Sequence, residues 1–231
     1  MAHLRRRHAL VAVLGTSLLV LGGCAGHRTE VEDSWIARVP EENLGDVRQA
    51  QAARHQAADA VMRADVSIGD AERALDVARR NVEAAKHRMD AEKATLEAAQ
   101  VTGQRSSIDQ AQAQIRAAEV DLAAARAHVG WRKQNVDAWR AQKVLREREL
   151  EVAEAELAMA RYVALKEHGD IRVQDISERD LQAAINDAQR KTTEARREAD
   201  SKAQQAQQAR VQWEQLRGQA RGYGGSGWNR R

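Results

Sequence analysis

The chain has 231 residues, of which 31% are charged and only 3% aromatic, with no Phe, one Pro and one Cys. Its formal charge of +3 equals the contribution of Arg5, Arg6 and Arg7, so residues 24 onward are balanced, which excludes the broad basic field that drives nucleic-acid binding. One Cys excludes an intramolecular disulfide framework, and Ala at roughly one residue in five points to long helices instead of a large globular core.

Residues 1–23 read as a secretory signal peptide, with Arg5, Arg6 and Arg7 as a basic head and Ala9 to Leu21 as the apolar body. That body of about 13 residues is too short to span a bilayer as a helix, which takes about 20. It closes on Leu21-Gly22-Gly23-Cys24. The tetrapeptide resembles the lipobox of bacterial lipoproteins, in which Leu stands three before the cysteine and small residues fill the gap. The resemblance implies that Leu21, Gly22 and Gly23 are read by the lipoprotein signal peptidase. It also implies that Cys24 carries diacylglycerol and, once it is the new N-terminus, an N-acyl chain such as palmitate. Ala25 stands where lipoproteins retained at the inner membrane often carry Asp, so the resemblance implies a lipid anchor on the periplasmic face of an outer membrane. Residues 24–39 are polar and irregular; the expectation is a flexible linker reaching about 50 Å when extended.

A first long helix is expected over 40–101. Val61, Ile68, Leu75, Val82, Met89 and Leu96 recur every seven residues, and Ala57, Ala64, Ala71, Ala78, Ala85, Glu92 and Ala99 form a second row. These are the a and d rows of a coiled-coil seam. Residues 102–106 form the expected hairpin tip: Gly103 is a helix stop, and Ser107 with Gln110 fits a capping box for the next helix.

The second long helix, 107–168, repeats the pattern. Its a row begins Ile108, Ile115, Leu122, Val129, Val136 and its d row Ala111, Ala118, Ala125. A short tip makes the two helices antiparallel. Pairing residues whose numbers total 207 sets Leu96 by Ala111, Met89 by Ala118, Ala85 by Leu122, Val82 by Ala125 and Ala78 by Val129. Large meets small in each layer, which fills a seam without voids. The same register centres the turn between Gly103 and Gln104. It leaves Arg132, Trp139, Lys143 and Arg146 on the seam, where a cover is needed.

A connector is expected over 169–176 and a third helix over 177–217, opened by Ser177 and Asp180 in an acidic variant of the capping box. Its rows are Ile185, Thr192, Ala199, Ala206, Trp213 and Leu181, Ala188, Ala195, Lys202, Ala209, Leu216. Folded back, it brings Trp213 to Trp131 and Arg132, and Glu198 to Arg146. This divides the rod into a three-helix base and a two-helix arm over about residues 76–131, and leaves 218–231 as a Gly/Arg-rich flexible tail.

The expected fold is therefore all-α: a long antiparallel coiled-coil hairpin with a third helix packing back on its base. His27, His55, His87, His128 and His168 are scattered, so no metal site is expected. A rod with an alanine seam offers no pocket with convergent polar groups. The chain is read as a non-enzyme with no catalytic residues, no cofactor beyond the lipid on Cys24 and no small-molecule substrate. Its expected partners are a membrane, through the anchor, and an envelope protein touching Gly103, Gln104 and Arg105 at the tip; homo-oligomerisation stays open. The hairpin resembles in outline the α-hairpins of periplasmic efflux adaptors and outer-membrane channels. The expected function is a structural spacer or adaptor in a cell-envelope complex, with a helical-arm holding chaperone or a cell-wall-binding module as alternatives.

Overall fold

The computed structural model of the chain describes residues 31–222. Within that span the protein is all-α: a short helix α1 (Asp33–Ile36), a 3-10 turn at Glu41–Asn43, then α2 (Gly45–Thr102), α3 (Arg105–Glu167), a second 3-10 turn at Ile171–Asp175, and α4 (Glu178–Gly222). At 1.5 Å per residue, α2 and α3 are each about 90 Å long. They form an antiparallel coiled-coil hairpin, and α4 folds back along α3.

The heptad rows explain why these segments pack. Every a and d residue named above for α2 and α4 is buried or half-buried, and in α3 only Trp139 of those rows is exposed. Ala78 is 0% exposed and Ala85 2%. Ala85, Leu122 and Ala125 share one buried cluster with Val82 and Met89 against it, as the 207 register requires. Ala71, Leu75 and Val136 make the next, beside Val129. Val47, Leu157 and Ala164 close the seam towards the base.

The turn is tighter than the expected 102–106. Thr102 still belongs to α2, Gly103 caps it at φ 69°, Gln104 is extended and Arg105 already opens α3. Two residues suffice because glycine enters the left-handed region without steric cost. Ser107 accordingly lies inside the first turn of α3, where its hydroxyl donates to Gln104 Oε1 at 3.2 Å, and the expected box with Gln110 does not form. At the start of α4, by contrast, Ser177 Oγ accepts from the Asp180 N–H at 3.2 Å, satisfying one of the free donors of a helix N-terminus.

Three expectations need correction. The segment 24–39 is not a free linker in its described part, because Val31, Ile36 and Val39 are buried with Tyr162, Leu165, Val173, Ile176 and Leu181. The third helix does not stop at 217: α4 continues through Gly218 to Gly222. Ala220 is buried in that last stretch, at 6% exposed. The longer α4 also shortens the bare arm. Trp131 meets Trp213, Glu149 meets Arg196 and Lys166 meets Glu178, so numbers along this seam total about 344 and the end of α4 lies level with residue 122. The two-helix arm is then about 86–121, projecting roughly 25 Å beyond α4. Leu21, Gly22 and Gly23 of the expected signal peptide, the expected lipidation site Cys24, and residues 223–231 lie outside the described residues.

Candidate functional site

The tip residues Gly103, Gln104 and Arg105 are all exposed and sit together at the far end of the hairpin. Thr102 Oγ1 donates to the Ala99 carbonyl at 2.8 Å, tying off the last turn of α2. A side chain at position 103 would be strained by the positive φ, although nothing stands within 4 Å of where its Cβ would be. The tip is a small polar knob on a stiff two-helix stem.

At the opposite end the N-terminal segment is clamped to the base. Arg172 lies with its guanidinium 5.1 Å from the ring centre of Trp35 and donates to the Trp35 carbonyl at 3.5 Å. Asp170 holds that guanidinium through Nε at 2.8 Å and accepts the Arg172 backbone N–H at 3.0 Å. These bonds keep the Asp170 carboxyl well below the usual carboxylate range. Arg161 pairs with Asp33. Gly169, at φ 74°, lets the chain leave α3 and turn into this clamp. The sequence reading missed it: the apolar residues 31, 36 and 39 follow no helical or strand period.

Between the two ends lies an aromatic and cationic cluster. The Trp131 and Trp213 rings stack with centroids 4.7 Å apart, and His128 stacks on Trp213 at 4.6 Å. Arg132 covers Trp131 at 4.1 Å, and Arg217 stands over Trp213 at 5.2 Å. Burial first, then the charges of Arg132 and Arg217, pushes the His128 imidazole down to about 4. The expected approach of Trp213 to Trp131 and Arg132 is thus observed, and the same register brings Glu198 level with Arg146, but the two form no ion pair. Glu198 pairs within its own helix with Lys202 at 3.5 Å, and Arg146 with Glu149 at 2.6 Å.

The cover expected over the seam's polar residues is also incomplete. Trp213 and Arg196 of α4 reach His128, Trp131 and Glu149, one strip round the α3 surface from the seam with α2. Lys143 is instead satisfied by Asp65 of α2 at 2.8 Å, which raises its ammonium pKa, while Trp139 stays 37% exposed. Because α2 and α4 flank α3 on separate faces and barely touch each other, a groove of about 680 Å³ runs between them above Trp139.

Among the described residues no group of His, Cys, Asp and Glu is arranged to hold a metal ion, and no helix is long and apolar enough to cross a membrane. Comparison with protein-family models, with curated proteins and with solved structures found no match.

Proposed function

We propose that the protein is a lipid-anchored spacer or adaptor of the bacterial cell envelope, held to the outer membrane through Cys24 and engaging an envelope protein with its hairpin tip. The observation that carries this reading is the polarity of the rod. The segment leading back to Cys24 is clamped to the base by Ile36, Val39 and Arg172, while Gly103, Gln104 and Arg105 lie at the other end of α2, about 90 Å away. With residue 31 fixed, seven virtual bonds remain to Cys24, a reach of at most about 25 Å. A short leash makes a stiff rod a measure of distance; a long one would not. Apart from Trp139, the apolar rows of α2 and α3 are spent on their seams, so the arm offers no continuous apolar face for holding unfolded clients.

Two measurements test the reading together. Cys24→Ser should leave the protein in the soluble envelope fraction, and wild type should carry acyl chains on Cys24 by mass spectrometry. A photoreactive residue at position 104 in living cells should crosslink to one envelope protein, whereas one at position 55, on the exposed base, should not. Membrane retention of the Cys24→Ser protein after a salt wash would remove the anchor. Equal crosslinking from both positions would remove the tip as the contact.

A further inference from the structure

The groove between α2 and α4 departs from the large-against-alanine packing of the hairpin arm. In the α2–α3 seam alanine is met by a large residue, as Ala85 is by Leu122. In the groove Ala60 on one wall, Ala203 on the other and Ala138 on the floor stay exposed or half-buried, beside Ala64, Ala199 and Ala206, which are buried in the seams; no Leu, Ile, Val or Met lines it. Small walls of this sort let a helix axis approach closely and leave room for large side chains brought by a partner. The walls are two helices running parallel to one another, both antiparallel to α3, so a fourth helix laid in the cleft completes a bundle. The exposed edge of Trp139 offers an apolar contact within it.

Charge narrows the occupant further. Arg63, Arg146 and Arg210 line the groove and no carboxylate does. Arg146 pairs with Glu149 in a part-buried contact; Arg210 stands over Trp131 at 5.8 Å and pairs with Glu214 on the surface, a pair of the kind that contributes little and is readily exchanged. Arg63 has no ion pair among the described residues. The floor from Trp131 to Arg146 is about 22 Å long, the length of some 16 helical residues.

We propose that this groove is a docking site for an acidic amphipathic α-helix of a partner protein. Its large apolar residues fill the space above the alanines and its flanking carboxylates face Arg63, Arg146 and Arg210. This recognition is the helix-in-groove mode, read by anchors at i, i+3, i+4 and i+7. It does not depend on the lipid anchor or on the tip.

The test uses the full chain carrying Cys24→Ser and a labelled 18-residue synthetic helix with Leu at its a and d positions and Glu at the flanking ones. Anisotropy should show saturable binding that weakens at least tenfold when Lys replaces the Glu residues of the probe. The same loss is expected in Ala203→Glu and in Arg63→Glu, two changes at exposed positions that leave the helical circular dichroism unaltered. Binding indifferent to probe charge, or to both substitutions, would overturn the proposal. So would displacement of the probe by polygalacturonate fragments at lower concentration, which would make the groove a site for acidic saccharides. A concentration-dependent dimer in sedimentation that Ala203→Glu abolishes would assign it to a second copy of the chain and overturn it equally.

Discussion

Trp131 of α3 and Trp213 of α4 stack at 4.7 Å between centroids and 17° between planes, and this pair fixes the far half of α4 to the hairpin. Nearer the base α4 is held by buried Leu181 and Ile185. Beyond Ile185 its a and d residues are mostly alanine, which brings little apolar area of its own.

Trp213→Ala should therefore loosen α4 selectively. The loss of a stacked pair and of a half-buried indole is worth about 2 kcal/mol. It should appear in amide exchange as faster opening of about residues 205–222, with the α2–α3 seam near Ala78 unchanged. A uniform fall in protection along all three helices would show that α4 folds as one unit with the hairpin.

Acid should act on the same place. His128 titrates lower in the folded protein, at about 4, than its usual 6.5, so between those values the unfolded chain binds more protons. Stability tied to this group is fully present above about pH 6.5 and is lost as pH falls towards 4. Because the ring is only half-buried, the loss is expected to be roughly 1 kcal/mol, well under the full linkage value. Urea midpoints at pH 7.5 and 4.5 should differ less in His128→Gln than in wild type. Asp170, Glu178 and Asp187, all held below their ordinary values by basic partners, contribute in both proteins and cancel in the comparison. An unchanged pH difference in the variant would assign the acid sensitivity to those carboxylates.

The α2–α3 seam tests the register directly. Ala85 is 2% exposed against Leu122 and Ala125, so Ala85→Leu should overpack the layer and cost about 1 to 3 kcal/mol. Cysteines at positions 85 and 122 of a Cys24→Ser protein should form an intramolecular disulfide under mild oxidation, while cysteines at 85 and 111 should not. Only intermolecular bridges from the first pair would contradict an antiparallel hairpin within one chain.

The hairpin was legible because layer after layer of its arm, such as Leu96 with Ala111 and Met89 with Ala118, pairs a large residue with an alanine, and two constraints, the heptad and the Gly103 turn, meet in one register. The face of α3 that receives α4 was not. Its row Ala124, Trp131, Ala138, Leu145 also recurs every seven residues, but alanine is as common on a solvated helix as in a seam, so composition hides a second interface. Docking of Val31, Ile36 and Val39 joins residues far apart in sequence and has no period to reveal it. The groove escaped for a different reason: it follows from two helices failing to meet, which no single-helix pattern encodes.

Distance-setting by the arm is tested by shortening it. Beyond the end of α4 the two-helix arm is held by the heptad alone, so residues 90–96 and 111–117 can be removed together. The layers on either side, Met89 with Ala118 and Ala99 with Ile108, then become neighbours in unbroken register. Both excisions lie outside the reach of α4, unlike cuts at 118–124, which would remove buried Ala124, level with Ala220 in the α3–α4 register. The shortened rod should keep its helicity and its anchor and lose about 10 Å. A protein whose task is to hold its tip at a set height would fail in the cell in this form. Restoring function by inserting a different heptad pair of Leu-against-Ala layers, with other surface residues, would show that length matters and the deleted side chains do not. Full function of the shortened, membrane-bound protein would rule out the spacer role and leave the groove as the surface that matters.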